Sequence, residues 1–256
     1  MKASEFYTGL VADMYDSLVS YRASVGFYVK LIRDAGEPAL ELGCGTGHPL
    51  LDLVAQGLHV EGLDSSRDML ARCEANAQVR RLRVTLHHQE MESFTLPTRY
   101  RIIFFAGATF MLLPEVEAAE RTLQRIYEHL EPGGRAVIPL YVPPRSPEAR
   151  NATDEWQTRE TVRPSDGATL RVSERFHYDR PRQLRVATLR YEVVRGDAVV
   201  QKVERPWLLR WYSQREFSSL LHKVGFASAL VRDEGGKPAT EDTAAFVFVA
   251  SRPDDA

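Results

Sequence analysis

Ala39-Leu40-Glu41-Leu42-Gly43-Cys44-Gly45-Thr46-Gly47 is a short apolar run that breaks into glycines at alternate positions. Pro38 precedes it. Leu50, Leu51, Leu53 and Val54 follow at helical spacing, so the segment reads as a strand turning into a helix from about His48 to Gln56, stopped by Gly57. Glycine at 43, 45 and 47 gives a tight turn without a Cβ on its inner side, so backbone can lie directly against a flat ligand. An ordinary strand-to-helix turn would use the same residues. The spacing is G-x-G-x-G, whereas the dinucleotide fingerprint is G-x-G-x-x-G, and Leu50 stands where another glycine would seat a pyrophosphate. That disfavours a nicotinamide dinucleotide. The fold is decided by what flanks the turn.

Leu58 to Leu63 is a second strand ending in Asp64, about twenty residues beyond the glycines, where a carboxylate can accept hydrogen bonds from both hydroxyls of a ribose. Asp64, Ser65 and Ser66 are also good caps for a helix from Arg67 to Asn76. Leu82 to His88 alternates like a third strand and ends in Gln89-Glu90-Met91. Carboxylate beside thioether suits an adenine ring, with Glu90 accepting from the exocyclic amine and Met91 packing on its face. His87 and His88 point to opposite faces of that strand, and no third ligand is spaced to join them, so no metal is expected. Arg101 to Phe105 is the continuous apolar run of a central parallel strand, and it opens into Ala106-Gly107-Ala108-Thr109, small residues at the same sheet edge. An amphipathic helix from Glu115 to Leu130 is stopped by Pro132-Gly133-Gly134, and a fifth strand runs from Ala136 to Tyr141.

From Pro143 the texture changes. Four alternating segments, about 156–164, 168–178, 184–195 and 198–205, are separated by Ser165-Asp166-Gly167, Asp179-Arg180-Pro181-Arg182 and Gly196-Asp197, which is the pattern of an antiparallel meander. The α/β alternation then resumes with Ser213-Gln214-Arg215-Glu216, a capping box opening a helix to Gly225, and two last strands, Phe226 to Val231 and Ala245 to Ala250. The expected fold is therefore α/β: a Rossmann-like, seven-stranded, doubly wound sheet with its last strand antiparallel, plus an inserted antiparallel β-meander. Residues 1–37 form an N-terminal helical cap, 38–142 with 208–256 the α/β domain, and 143–207 an inserted lid or dimer element.

The 256 residues suffice for one such domain with an insertion. No run is apolar enough to span a membrane and the N-terminus has no leader pattern, so the expected location is cytoplasmic. Two cysteines, Cys44 and Cys73, read as reduced thiols. The net charge of −2, with 13 Lys or Arg against 10 Asp or Glu between Arg145 and Arg205, lacks the footprint of a nucleic-acid binder.

Together, Glu41 to Gly47, Gly62-Leu63-Asp64 with Met69-Leu70, Gln89-Glu90-Met91 and Leu130-Glu131-Pro132-Gly133-Gly134 resemble the successive motifs of class I S-adenosylmethionine-dependent methyltransferases. The β insertion and an N-terminal Tyr15-Asp16 element are most similar to the glycine N-methyltransferase and aminosugar N,N-dimethyltransferase groups. The resemblance implies an enzyme using S-adenosylmethionine, with S-adenosylhomocysteine as product. It implies that Gly43, Gly45 and Gly47 line the methionine portion, that Tyr15 and Arg22 contact it, that Asp64 holds the ribose, that Glu90 and Met91 frame adenine, and that Glu41, Cys44, Ser65, Met69 and Ala106 belong to the same cofactor site. Family members usually carry Asp at the position of Glu90. The aminosugar enzymes carry Tyr and His where this chain has Val19 and Met111.

A sulfonium methyl is already electrophilic, so such an enzyme mainly aligns a nucleophile and excludes water. The expected reaction is in-line transfer to a nitrogen or oxygen of a small molecule. An RNA or protein methyltransferase, or a non-catalytic cofactor-binding protein, is the alternative; Ala106-Gly107-Ala108-Thr109 is not the Asn- or Asp-Pro-Pro-Tyr tetrapeptide of the first. Tyr21, His129, His177 and Tyr212 are nominees for a base without a spacing argument, and Trp156, Phe176, Trp207 and Trp211 for aromatic lid residues.

Overall fold

Ala39–Leu42 (β1) is buried along its whole length, which requires neighbours on both edges and layers on both faces. The computed structural model, which describes residues 2–18, 23–143, 153–233 and 236–254, supplies them. Val60–Asp64 (β2) and Tyr100–Phe104 (β4) pair with β1 in parallel, Glu41 lying opposite both Gly62 and Phe104. The three strands therefore end together, and Gly43, Asp64 and Phe105 leave the sheet at one edge. Leu86–His88 (β3) flanks β2, and Leu130–Tyr141 (β5) flanks β4. Ser228–Asp233 (β10) and Ala245–Ser251 (β11) form an antiparallel hairpin whose last strand slots beside β5, giving the seven-stranded order β10-β11-β5-β4-β1-β2-β3.

Helices Val25–Ala35 (α3), Leu50–Ala55 (α4) and Arg67–Val79 (α5) cover one face through Ile32, Leu50 and Cys73. Val116–His129 (α6) and Gln214–Val224 (α7) cover the other through Leu123, Ile126, Phe217 and Leu221. Ser213 caps α7 in the expected box with Glu216, and Gly225 ends it with a left-handed φ of 112°.

Two strands differ from expectation. β3 starts at Leu86, four residues late, because this edge strand has one neighbour and β2 offers it ladder partners only from Gly62 to Asp64. β5 starts at Leu130 instead of Ala136: α6 runs straight into the strand, and a register shift between Tyr100 and Ile102 absorbs Glu131 to Gly134.

The insertion is a separate four-stranded antiparallel sheet of Thr153–Val162 (β6), Thr169–Asp179 (β7), Leu184–Arg195 (β8) and Ala198–Arg210 (β9). β9 continues past Pro206 to Arg210, which an edge strand permits. Its inner face packs Leu170, Val172 and Tyr191 against Phe6 of Ala3–Phe6 (α1) and Val11 and Met14 of Leu10–Leu18 (α2). The first two helices thus lie between the inserted sheet and the edge of the main sheet where β1 and β2 end.

Candidate active site

Each glycine of the turn after β1 has a left-handed φ, +70°, +54° and +101° for Gly43, Gly45 and Gly47. Their surroundings differ. A Cβ on Gly43 would stand 2.3 Å from Thr109 Cγ2, and one on Gly47 would stand 2.7 Å from Leu51 Cγ and 2.8 Å from Cys73 Sγ. A Cβ on Gly45 would meet only Met69 Cε, at 3.4 Å. Gly43 lets the loop after β4 close on the turn, Gly47 seats α4, and Gly45 presents bare backbone to open space. Asp64 braces the turn: Gly45 N–H donates to its Oδ2 at 2.9 Å and Ser66 N–H to its Oδ1 at 2.8 Å. Burial nevertheless raises the Asp64 carboxyl above its ordinary range against those donors. Ser66 caps α5 by accepting from Met69 N–H.

A cleft of about 500 Å³ runs along this turn. Gly43 to Thr46 form one wall, Ala106 to Thr109 the floor, and Tyr7, Tyr15 and Asp16 of the cap the roof. Its far end is a chamber made by Pro139 to Tyr141, Trp207, Leu209 and Ala245. Tyr141 keeps its phenolic proton, burial pushing it up to about 12. A smaller cavity continues on the other side of the glycines, lined by Leu63, Asp64, Ser65, Met69, Gln89 and Met91.

The cap is held over this second cavity by polar contacts to the main domain. Ser4 Oγ donates to Glu90 Oε1 at 2.8 Å, Gly9 N–H to Asp68 Oδ2 at 2.6 Å, and Ser66 Oγ to the Tyr7 carbonyl. Arg72 pairs with Asp13, and Thr46 Oγ1 donates to Asp16. From the other side Arg205 Nη1 donates to the carbonyls of Glu5 and Phe6 and, at 2.9 Å, to Thr8 Oγ1.

Of the residues proposed from sequence, Tyr15, Gly43, Cys44, Gly45, Asp64, Ser65, Met69, Met91 and Ala106 line the two cavities. Gly47 lies beneath the turn, and Glu90 turns its carboxylate to Ser4, leaving Gln89 beside Met91 on the wall. Arg22, with Val19 and Tyr21, lies outside the described residues. Glu41 is fully buried at the end of β1, with the Leu50 backbone N–H beside its carboxylate; burial first, then the fields of Cys73 and Asp64, raise it well above the carboxylate range.

The base nominees stand elsewhere. His129 Nδ1–H donates to the Arg125 carbonyl at 2.7 Å while Nε2 accepts Leu96 N–H at 3.0 Å, a structural role that fixes the neutral tautomer. Tyr212 packs between Phe110 and Phe217, His177 is exposed on β7, and Met111 is buried in the main core. Of the aromatic nominees, Trp207 reaches the cleft, whereas Trp156 lies between the guanidinium groups of Arg175 and Arg190 on the outer sheet face.

Sequence reasoning missed three features. His48 lines the cleft with Nδ1 on Asp52 Oδ2 at 2.8 Å, a pair readable as an i, i+4 contact on the helix after the glycines. Gln89 stands beside Met91 on the wall of the smaller cavity, and Tyr141 lines the cleft with the nominated Trp207, a position no local pattern announced. One cleft-lining side chain, His48, carries a buried polar atom, Nε2, without a hydrogen-bond partner, whereas the Trp207 indole N–H faces the Tyr7 hydroxyl.

A parallel sheet whose first three crossover edges converge on a glycine turn, an acid and an apolar slot defines a nucleoside-cofactor-dependent α/β enzyme. Residues 39–134 match a methyltransferase domain family. The chain is 28% identical over 171 residues to dTDP-3-amino-3,4,6-trideoxy-alpha-D-glucopyranose N,N-dimethyltransferase of Streptomyces venezuelae, covering 63% of this chain and 68% of that one. It is 25% identical over 230 residues to dTDP-3-amino-3,6-dideoxy-alpha-D-glucopyranose N,N-dimethyltransferase of Streptomyces fradiae, covering 86% and 85%. Its fold is shared with the CcbJ methyltransferase of Streptomyces caelestis, at a TM-score of 0.74, 20% identity and 96% coverage of both chains. Residues 39–134 thus carry a methyltransferase domain, and the relatives and the shared fold indicate an enzyme that uses S-adenosylmethionine as methyl donor.

The residues present fit that cofactor. The bare backbone at Gly45, the acid at the end of β2 and the Met91 slot suit a nucleoside, and the cleft beyond Gly45 and Thr46, with Tyr15 and Asp16 in its lining, leaves room for an amino-acid end. Among the described residues no helix is long and apolar enough to cross a membrane.

Proposed function

We propose that this enzyme methylates an amine nitrogen of a small molecule by in-line displacement. The observation that carries the reading is the cleft itself: about 500 Å³, joined to the glycine turn at one end and to the Tyr141–Trp207 chamber at the other, and roofed by the cap. That is the size and enclosure of a small-molecule site. The amine is favoured over oxygen by the N,N-dimethyltransferase relatives.

Bound S-adenosylmethionine supplies an electrophilic methyl on a sulfonium centre. The chain supplies position. In this reading Asp64 accepts from the ribose with the lone pairs its backbone donors leave free, Met69 and Met91 clasp the adenine with Gln89 at its edge, and Gly43 and Gly45 let the thioether side lie against backbone. Glu41 and Tyr15 serve the methionine end, and Arg22 joins them by resemblance. The acceptor lies in the chamber, its body against Tyr141, Trp207 and Leu209, so that its own nucleophile points at the methyl carbon. The cap and the inserted sheet exclude water, which makes residues 143–207 a lid.

Incubation with methyl-labelled cofactor and a panel of amines tests this, with dTDP-3-amino-3,6-dideoxyglucose, phenols, carboxylates, bulk RNA and protein lysate as the other members. Label in an amine is the expected result. Label only in RNA or protein, or only in phenols or carboxylates, would reject the proposal.

A further inference from the structure

We propose that Arg185 reads an anionic oxygen group on the methyl acceptor and that Glu174 is its internal competitor, so that the two partners of one ion pair set acceptor selectivity in opposite directions. The proposal rests on the reading that a small amine occupies the far end of the cleft. Where the inserted sheet meets the cap its inner face is apolar, with Leu170, Val172, Ala187 and Leu189 packed against Phe6, Val11 and Met14. Further along that face stand Glu174 and Arg185, their side chains 23% and 11% exposed. They are not cross-strand neighbours. Arg185 lies opposite Tyr178 and Glu174 opposite Leu189, so the arginine reaches along the face to make the pair. Its guanidinium stands 4.0 Å from the Phe176 ring centre and 5.5 Å from that of Trp207, and Nη1 meets Glu174 Oε1 at 2.7 Å with both atoms sealed from solvent.

Withdrawing two charges from water costs about as much as their contact returns, so an apolar pair would hold this face of the sheet equally well. What the pair faces gives it a use. Leu209, opposite Arg185 in the ladder, and Trp207, beside its guanidinium, both line the cleft, as does Tyr141, whose hydroxyl lies in the field of Arg185 and Glu174. Donors dominate this end of the chamber. The guanidinium is a planar fork of N–H groups of which Glu174 engages one, and the Tyr141 hydroxyl, which burial keeps protonated, adds another donor. A ligand that completes the arrangement brings acceptor oxygens, as a carboxylate or a phosphate does. The aromatic contacts of Phe176 and Trp207 fall to the faces of the fork, and its edge is the part that binds such oxygens.

Glu174 then acts against the ligand. It holds Arg185 in place, and an arriving anion must share the guanidinium with it or displace it, so the carboxylate lowers the affinity that the guanidinium alone would give. An acceptor without an anionic group takes no part in that exchange and is indifferent to both residues.

The test is methyl-transfer kinetics with acceptors matched except for the anionic group: dTDP-3-amino-3,6-dideoxyglucose against 3-amino-3,6-dideoxyglucose for phosphate, and phenylalanine against its methyl ester for carboxylate. The wild type, Arg185→Met and Glu174→Gln are compared. For the anionic acceptor that the wild type uses, Arg185→Met is expected to raise KM roughly 10-fold and Glu174→Gln to lower it about 5-fold, with kcat changed less than about 2-fold and the uncharged counterpart unmoved in both variants. Which of the two pairs responds separates phosphate from carboxylate. Affinity for S-adenosylhomocysteine, read by calorimetry, should match the wild type in both variants. An ion pair that only stiffens the sheet would make the two variants act alike, so KM raised in both, or cofactor affinity lost in both, overturns the proposal. KM lowered by Arg185→Met, an equal response of the uncharged counterpart, or a wild type that prefers the uncharged member of both pairs overturns it as well. A wild type that labels no amine, these four included, rejects the amine reading itself, an outcome distinct from the others.

Discussion

Placing a methyl group on each glycine of the turn separates its two roles, folding and binding. Gly43→Ala puts a Cβ at φ +70° and 2.3 Å from Thr109 Cγ2. The left-handed backbone costs an L-residue about 1–2 kcal/mol. The contact is far inside van der Waals distance, and Thr109 is β-branched and stiff at χ1, so relief requires moving the loop after β4, an overpacking cost of about 1–3 kcal/mol. The expected loss is therefore roughly 2–5 kcal/mol of stability. Gly45→Ala has the same backbone cost at φ +54°, but its Cβ meets only the flexible Met69 Cε at 3.4 Å, so the loss should stay near 1–2 kcal/mol. Binding should order the other way per unit of stability lost, because the Gly45 Cβ enters the space where cofactor must lie. Urea unfolding without ligand and calorimetry with S-adenosylhomocysteine measure both quantities. Thr109→Ser removes Cγ2 and should restore the contact part of the Gly43→Ala loss, leaving about 1–2 kcal/mol. Equal stabilities for Gly43→Ala with and without Thr109→Ser would refute the steric argument, and unchanged affinity in Gly45→Ala would refute the placement of cofactor on the turn.

Three further outcomes are expected. Asp64→Ala should weaken S-adenosylhomocysteine binding by roughly 1–3 kcal/mol, read by calorimetry, while a nucleoside lacking both ribose hydroxyls should bind the wild type and the variant alike. Arg205→Ala removes the donor that ties the Glu5 and Phe6 carbonyls and Thr8 to the inserted sheet; amide exchange should quicken in α1 and α2 with the α/β core unchanged, and exchange unaltered in the cap would show that the apolar contacts of Phe6, Val11 and Met14 suffice. His129 is buried as the neutral ring, with its titration lowered first by desolvation, so its contribution to stability is full above the ordinary imidazole value of 6.5 and is lost as pH falls below it. Urea midpoints should therefore drop on acidification from pH 7 to 5.5, and less steeply in His129→Gln; parallel slopes would count against it.

The main sheet was legible because its signals are local. Each strand of β1, β2 and β4 is a run of apolar residues closed by glycine, acid or small residues, and each helix between them has a cap or a stop within a few positions. The terminal hairpin and the meander were legible for the same reason. Their faces were not. That Trp207 lines the cleft while Trp156 lies on the outer surface depends on which side of the inserted sheet meets the cap, and nothing within the meander states that. The extra length of β9 was hidden by Pro206, which an edge strand tolerates and a central one would not. At Gln89-Glu90-Met91 the side chains alternate, Gln89 and Met91 facing the smaller cavity, and the Glu90 carboxylate accepts from Ser4, more than eighty positions earlier, a partner no local pattern could name.

Ser4 also shows how the parts depend on one another. The smaller cavity has Ala3 and Tyr7 in its wall, so it is complete only when α1 is docked, and α1 is docked from two sides: Ser4 to Glu90 and the Tyr7 carbonyl to Ser66 on the main domain, Arg205 on the inserted sheet. Phe6 fastens the same helix by packing on Tyr191 and Trp207, with ring centroids 6.3 and 6.4 Å apart. Trp207 is at once a wall of the larger cleft and a support of the cap over the smaller cavity. A ligand that shifts this indole therefore acts on the roof of the other cavity through Phe6 and α1, and two ligands sharing one such element are coupled whenever each prefers the docked cap. That makes Trp207→Ala, unlike Tyr141→Ala, a change that should weaken binding of S-adenosylhomocysteine even with no acceptor in solution, and equal cofactor affinities in the two variants would remove Trp207 from that link.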